Sequence, residues 1–344
     1  MNNNYFQNET ITPDFIKNEL DKSIILNNNN FGLLKGQTGL SLTYFLLSDL
    51  FPDTDFKEDA NQLLDQVSEN ICDVKGVDFE NGLAGIGWGI EWMIQNGYVK
   101  ADANEVLDEL DDELYKSVVE SKSPNISLEN GALGKAMYFY KRLNTQTYQS
   151  MHNRYRNICN HECLILLIDE INEDLLDEKN GLLISSTQMQ HTNSDRLIEV
   201  AHTLIFMSKA HHLKINLEII EKLIDRIITF IKQNITILME TSLWEGYLNL
   251  LYAYSFASEL LQDINGVNHA RMLYESSMQS FISTNNVSIF QKYLNNRFNP
   301  LTDNPLNAEP IVQKQSDGFF NLLFLCHHYH YKLRSAWNEA WLLS

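Results

Sequence analysis

The chain has 344 residues, 44% of them apolar, with 26 Lys+Arg against 45 Asp+Glu and a formal net charge of −19. That balance repels phosphate backbones and argues against a nucleic-acid partner. The start, MNNNYFQNETITPDF, lacks the basic flank and apolar core of a signal peptide, and no apolar run approaches the ~20 residues that span a bilayer, so the expectation is a cytoplasmic protein without a membrane span. Four cysteines, Cys72, Cys159, Cys163 and Cys326, are too few in a chain this long for a disulfide framework.

Apolar residues recur at three- and four-residue spacing almost throughout, with only six prolines and fifteen glycines, so the predicted elements are helices. In chain order, TPDFIKNELDKSIIL forms a first amphipathic helix, followed by KGQTGLSL with Gly36 and Gly39. DFKEDANQLLDQVSENI leads to NGLAGIGW with Gly82 and Gly85. ADANEVLDELDDELYKSVV leads to NGALGKAM with Gly131 and Gly134.

Two weaker relatives follow, EGYLNLLY with Gly246 and DGFFNLLF with Gly318. The first glycines are separated by 46, 49, 115 and 72 residues. Within the long gap EVAHTLIF places Val200 and Thr203 at the two glycine positions and splits it into 69 and 46. The order is therefore an outer helix then an inner helix, six times over, which closes into an all-α fold, an α/α toroid of six outer and six inner helices. The expected organisation is a single domain over residues 1–344.

The glycines are costly in a helix, about 1 kcal/mol each relative to alanine. If inner helices converge at their N-terminal ends, small residues one turn apart let helix ends and connecting loops approach without a Cβ collision. In FENGLAGIGWGIEW, Gly82, Gly85, Gly87 and Gly89 are read this way, because no convincing strand precedes them to build a dinucleotide loop.

Ordered GxxG-type motifs opening the inner helices resemble the lanthionine synthetase C-like family. NGLAGIGWGIEWMIQNGYV and KGQTGLSLTYFLLS carry the resemblance most clearly, and it extends in order over residues 10 to 335. It implies a zinc enzyme that adds a cysteine thiol to a dehydrated serine or threonine of a peptide. The zinc would be held by a Cys before the fifth-repeat glycine and a Cys-His pair before the sixth.

This chain departs from that pattern at every ligand position. Trp244 and Glu245 stand before Gly246, and Ser316 and Asp317 before Gly318. The family's histidine before the fourth-repeat position aligns with Glu199, with His202 three residues on. The implied cofactor set is therefore none, with zinc requiring atypical ligands.

Other candidate clusters are Cys326 and His330, with His327 and His328 between them, and Cys159 and Cys163 around His161. The first lies ten residues past Ser316, roughly 15 Å along a helix. The second is read as buried inert cysteine on an outer helix.

The residues before the motif glycines, Lys35, Asn81, Asn130, Glu199, Glu245 and Asp317, line the expected mouth. Two readings stand. They cap helices and pair with helix dipoles, or Glu245, Asp317 and Glu199 form a carboxylate site for acid–base chemistry or a hard cation. Trp244, Ser316 and Phe319, with Asn81 and Asn130, would bind a ligand there. Trp88, Trp92 and Phe320 add aromatic surface or core.

Two functions compete. The first is a lanthionine synthetase C-like protein without zinc-dependent cyclase activity that binds a peptide or protein partner in ribosomal peptide modification, a basic partner suiting the acidic charge. The alternative is an active enzyme on the same scaffold, either a cyclase with atypical zinc ligands or a glycosidase-like hydrolase using Glu245 and Asp317.

Overall fold

The computed structural model describes residues 13–26, 29–34, 36–144, 151–177, 181, 183, 194–240 and 244–281. Among them there is no strand. Twelve helices are described: α1 (Pro13–Leu26), α2 (Gln37–Leu50), α3 (Phe56–Asn70), α4 (Leu83–Gln95), α5 (Ala103–Val106), α6 (Asp108–Glu120), α7 (Ala132–Leu143), α8 (Met151–Leu176), α9 (Ser194–Ala210), α10 (Leu217–Glu240), α11 (Trp244–Leu260) and α12 (Ile264–Phe281). No helix among the described residues is long and apolar enough to cross a membrane.

The described residues divide into two compact units, the first made of 13–123 and 128–163, the second of 124–127 and 164–281. In the first, α4 packs between α2 and α7, while α3 lies on α2 and α6 on α4. The three central helices are the glycine-motif helices, and α3 and α6 are the amphipathic segments between them. That is the inner and outer alternation expected from the sequence.

Burial follows the same division of labour. From Gly82 to Met93 every residue is buried, including Trp88 and Trp92. By contrast α3 buries only Phe56, Ala60, Leu63 and Val67, a single stripe at helical spacing. Each large apolar side chain removed from water this way contributes about 1.5–3 kcal/mol.

Trp88 meets Phe79 edge-on with the Lys141 ammonium over its ring, and Trp92 stacks on Tyr98 at 5.7 Å. Both indoles therefore belong to the core, and of the two readings of these aromatics it is packing that holds.

In the second unit α9 and α11 form the closest pair, with α10 against both and α12 on α11. Gly246 explains the closeness: a Cβ there would lie 2.7 Å from Leu197 Cβ and 3.0 Å from the Ser194 carbonyl. A side chain on α11 at that point would push α9 away.

Candidate functional site

In the first unit all three motif helices start immediately after the first motif glycine. Gly36, Gly82 and Gly131 are the N-cap residues, each in extended backbone and none able to supply a capping side chain. This corrects the capping interpretation of Asn81 and Asn130, which stand one residue outside the helix, exposed at the point where the chain turns into the core.

What satisfies the orphan amides is the preceding loop. For α4, the Asp78 carboxylate accepts from the Asn81 and Gly82 N–H groups at 2.7 and 3.2 Å, while the Gly76 carbonyl accepts from Leu83 N–H. For α2, the Asn30 carbonyl accepts from Gln37 N–H at 2.8 Å. With its first donors taken by its own loop, the end of α4 has little left to offer an anion.

The three loops are also bonded to one another. Leu34 N–H donates to the Glu80 carbonyl, and the Asn30 side-chain amide donates to Asn81 Oδ1 at 2.7 Å. Phe79 and Glu80 N–H both donate to the Glu129 carbonyl. The second motif glycines make this belt possible. A Cβ at Gly85 would run into the Phe79 carbonyl, and one at Gly134 into the Leu128 carbonyl and Phe79 Cβ.

Gly87 and Gly89 have a different use one turn deeper. Gly89 faces Thr38 of α2, and Gly87 faces Tyr138 of α7 and Leu110 of α6, all closer than a Cβ would allow. The four glycines of α4 thus do two jobs, loop approach at the end and helix approach along the shaft.

In the second unit the positions aligned with these do not open helices. Glu199 is the sixth residue of α9, half-buried, with its own carbonyl accepting from Thr203 Oγ1. Val200 and Thr203, placed at glycine positions by alignment, are both buried inside the helix. Trp244 and Glu245 are the first two residues of α11, so Gly246 is third rather than the cap.

The structure therefore brings Asn81 together with Asn30 in the first unit, and places Glu199, Trp244 and Glu245 on α9 and α11 in the second. Lys35, Ser316, Asp317, Phe319, Phe320, Cys326 and His330 lie outside the described residues, as do His327 and His328. Among the described residues no group of three His, Cys, Asp or Glu side chains is arranged to hold a metal ion.

The cysteine pair behaves as expected of buried thiols. Cys159 and Cys163 are buried on α8, and burial pushes the Cys163 thiol up to about 12. His202 is half-buried on α9, and loss of hydration pushes its imidazole down to about 4, so it is neutral at pH 7.

One polar cluster was missed by sequence reasoning. Arg142 of α7 reaches Glu91 Oε2 of α4 and Asp111 Oδ2 of α6, both at 2.7 Å, and Asn104 Oδ1 of α5 at 3.1 Å. Tyr138 OH donates to Asp111, and the Gln95 amide donates to Glu91. The guanidinium and both carboxylates are at most 3% exposed.

Burial and the Asp111 carboxylate hold the Tyr138 phenol well above its ordinary range, while the two carboxylates hold the guanidinium charged against its own desolvation. The signal was present: Glu91 is the one charge in LAGIGWGIEWMIQ, and a lone charge in an apolar helix requires a buried partner.

The family model for "Lanthionine synthetase C-like protein" matches residues 12–162. No curated protein sequence matches the chain. Among solved structures, a protein titled "Nisin cyclase" is similar, with a TM-score of 0.61 at 14% identity, covering 95% of this chain and 96% of that one. At that identity the match establishes a shared fold. The family match covers 151 of the 344 residues, nearly all in the first unit, and the shared all-helical fold is consistent with an α/α toroid.

Proposed function

We propose that this lanthionine synthetase C-like protein binds a peptide or protein partner in ribosomal peptide modification and does not cyclise it by zinc-dependent thiolate chemistry. One observation carries the reading: the positions that the resemblance assigns to zinc hold Trp244, Ser316 and Asp317. An indole donates an N–H and offers no lone pair to a metal, and a hydroxyl with one carboxylate is a hard oxygen set rather than the sulfur and imidazole set that zinc prefers. The residues present do not fit the family's metal.

The retained motif helices support binding. Their ends are held by the loop belt around Asn30, Asn81 and Glu129, and Asn81 and Asn130 are exposed at the points where the chain turns into the helices. A match to a protein titled as a cyclase agrees with a peptide as the bound partner.

The test is metal analysis of the full chain purified without chelators. Far less than one zinc per chain is expected. Stoichiometric zinc that disappears in Cys326→Ser or His330→Ala would overturn the reading and restore a cyclase with atypical ligands.

A further inference from the structure

Cys159 and Cys163 of α8 stand four residues apart, so their side chains leave the helix on one face, one turn from each other. Both are buried, at 7% and 0% exposure. The Tyr155 hydroxyl, one turn earlier, donates to the Cys159 sulfur, and Tyr115 of α6 lies close enough to both thiols to feel their charge. All four residues belong to the first unit.

The two carboxylates that act on Cys163 are already compensated, Asp111 by Arg142 and Tyr138, and Glu162 by a hydrogen bond from Tyr115. The thiols are therefore the uncommitted polar groups of this seam between α6 and α8.

Spacing decides what such a pair can do. Cβ atoms one helical turn apart are about 5–6 Å from each other. A disulfide needs about 3.5–4.5 Å, so this pair cannot oxidise to one without unwinding the helix. A metal ion between the sulfurs does fit, since two bonds of roughly the zinc–thiolate length, about 2.3 Å, set the sulfurs ~4.6 Å apart.

The number of donors then selects the ion. Structural zinc asks for four ligands, and among the described residues no group of three His, Cys, Asp or Glu side chains is arranged to hold a metal. Thiolates are soft donors that select Cu(I), which accepts two of them in a line.

We propose that Cys159 and Cys163 form a two-coordinate site for a soft monovalent cation, Cu(I). On binding, two S–H bonds break and two S–Cu bonds form, the protons pass to solvent, and copper stays Cu(I), so no oxidant is needed. The Tyr155 O–H then donates to a thiolate and shares its charge. Tyr155 is 61% exposed and Cys159 keeps an edge open to solvent, which gives the ion its way in. The site goes beyond the preceding reading, because α8 carries no glycine motif and none of the positions assigned to zinc.

The experiment uses the full chain, reduced and free of oxygen, with Cys72→Ser and Cys326→Ser removing the other two thiols. This protein is titrated into the coloured Cu(I) complex of bicinchoninate. It is expected to withdraw one Cu(I) per chain, and a further Cys159→Ser or Cys163→Ser to lower the affinity about a hundredfold, since one thiolate holds the ion far less firmly than two. Tyr155→Phe should weaken binding about threefold and leave the thermal midpoint of the metal-free protein unchanged, because only the hydroxyl meets the sulfur.

X-ray absorption at the copper edge leaves the site itself unaltered and should show two sulfur neighbours, with no nitrogen or oxygen. Copper left with bicinchoninate, a shell that contains nitrogen, or an affinity that neither serine substitution changes would overturn the proposal.

Discussion

The two units use the same kind of motif to different ends. In the first, glycine caps the helix, the loop before it supplies the hydrogen bonds, and neighbouring loops are tied by main-chain bonds between Leu34, Phe79, Glu80 and Glu129. In the second, the aligned positions lie inside α9 and α11, and the remaining glycine, Gly246, serves helix-to-helix contact. A motif can thus lose its role at a helix end and keep its role in packing. The two demands are physically separate: one is clearance for a carbonyl, the other clearance for a facing side chain.

The first unit also carries the buried Arg142 cluster, and breaking it is the largest expected effect. Arg142→Ala leaves Glu91 and Asp111 buried without their cation, at a cost of about 3–5 kcal/mol. Urea unfolding of the variant should show its midpoint displaced accordingly. An unchanged midpoint would mean that water reaches the two carboxylates.

Substituting the glycines tests the contrast between the units directly. Gly85→Ala forces a Cβ into the Phe79 carbonyl, which is main chain tied to the next loop, and should cost about 1–3 kcal/mol. Gly246→Ala meets Leu197 Cβ, fixed to the α9 backbone, at 2.7 Å and the Ser194 carbonyl at 3.0 Å, so α9 must shift. The overlap is smaller than at Gly85, and the loss should be smaller, about 1 kcal/mol. Equal losses at the two sites, measured by thermal unfolding, would remove the distinction between loop approach and helix approach.

The smallest effect is a pH dependence in the second unit. His202 titrates near 4 in the folded chain and near 6.5 when unfolded. Between those values the unfolded chain binds the extra proton, so stability falls as pH drops from about 6.5 toward 4. The ring is half-buried rather than sealed, which makes the full shift an upper bound, and about 1–2 kcal/mol is expected by pH 4. His202→Leu should flatten that part of the stability profile, and an unaltered slope would place the acid sensitivity in the carboxylates.

Much of the first unit was legible in the sequence because its signals are local. Glycines at Gly36, Gly82 and Gly131 mark three helix starts to the residue, and polar amphipathic segments mark the helices between them. The capping role given to Asn81 and Asn130 was misplaced by one residue. A side chain before glycine resembles a cap in sequence, whereas the N-cap in the structure is Gly82 itself, and the Asp78 carboxylate, four residues upstream, accepts from the Asn81 and Gly82 amides once the loop has folded back. The aligned positions in EVAHTLIF and EGYLNLLY lost their meaning as helix starts for a related reason, since alignment fixes order along the chain and not the residue at which a helix begins.

By itself the sequence determined that the chain is helical, repetitive and acidic, and that Trp244, Ser316 and Asp317 stand before Gly246 and Gly318, where the resemblance implies zinc ligands. Periodicity, charge and residue identity are properties of neighbouring positions, so no folding was needed to see them. Only tertiary structure decided that Glu91, Asp111 and Arg142 share one buried cluster and that the loops at Asn30, Asn81 and Glu129 form a belt. Each of these joins residues tens of positions apart or depends on what a helix is packed against. That information enters only when distant segments meet.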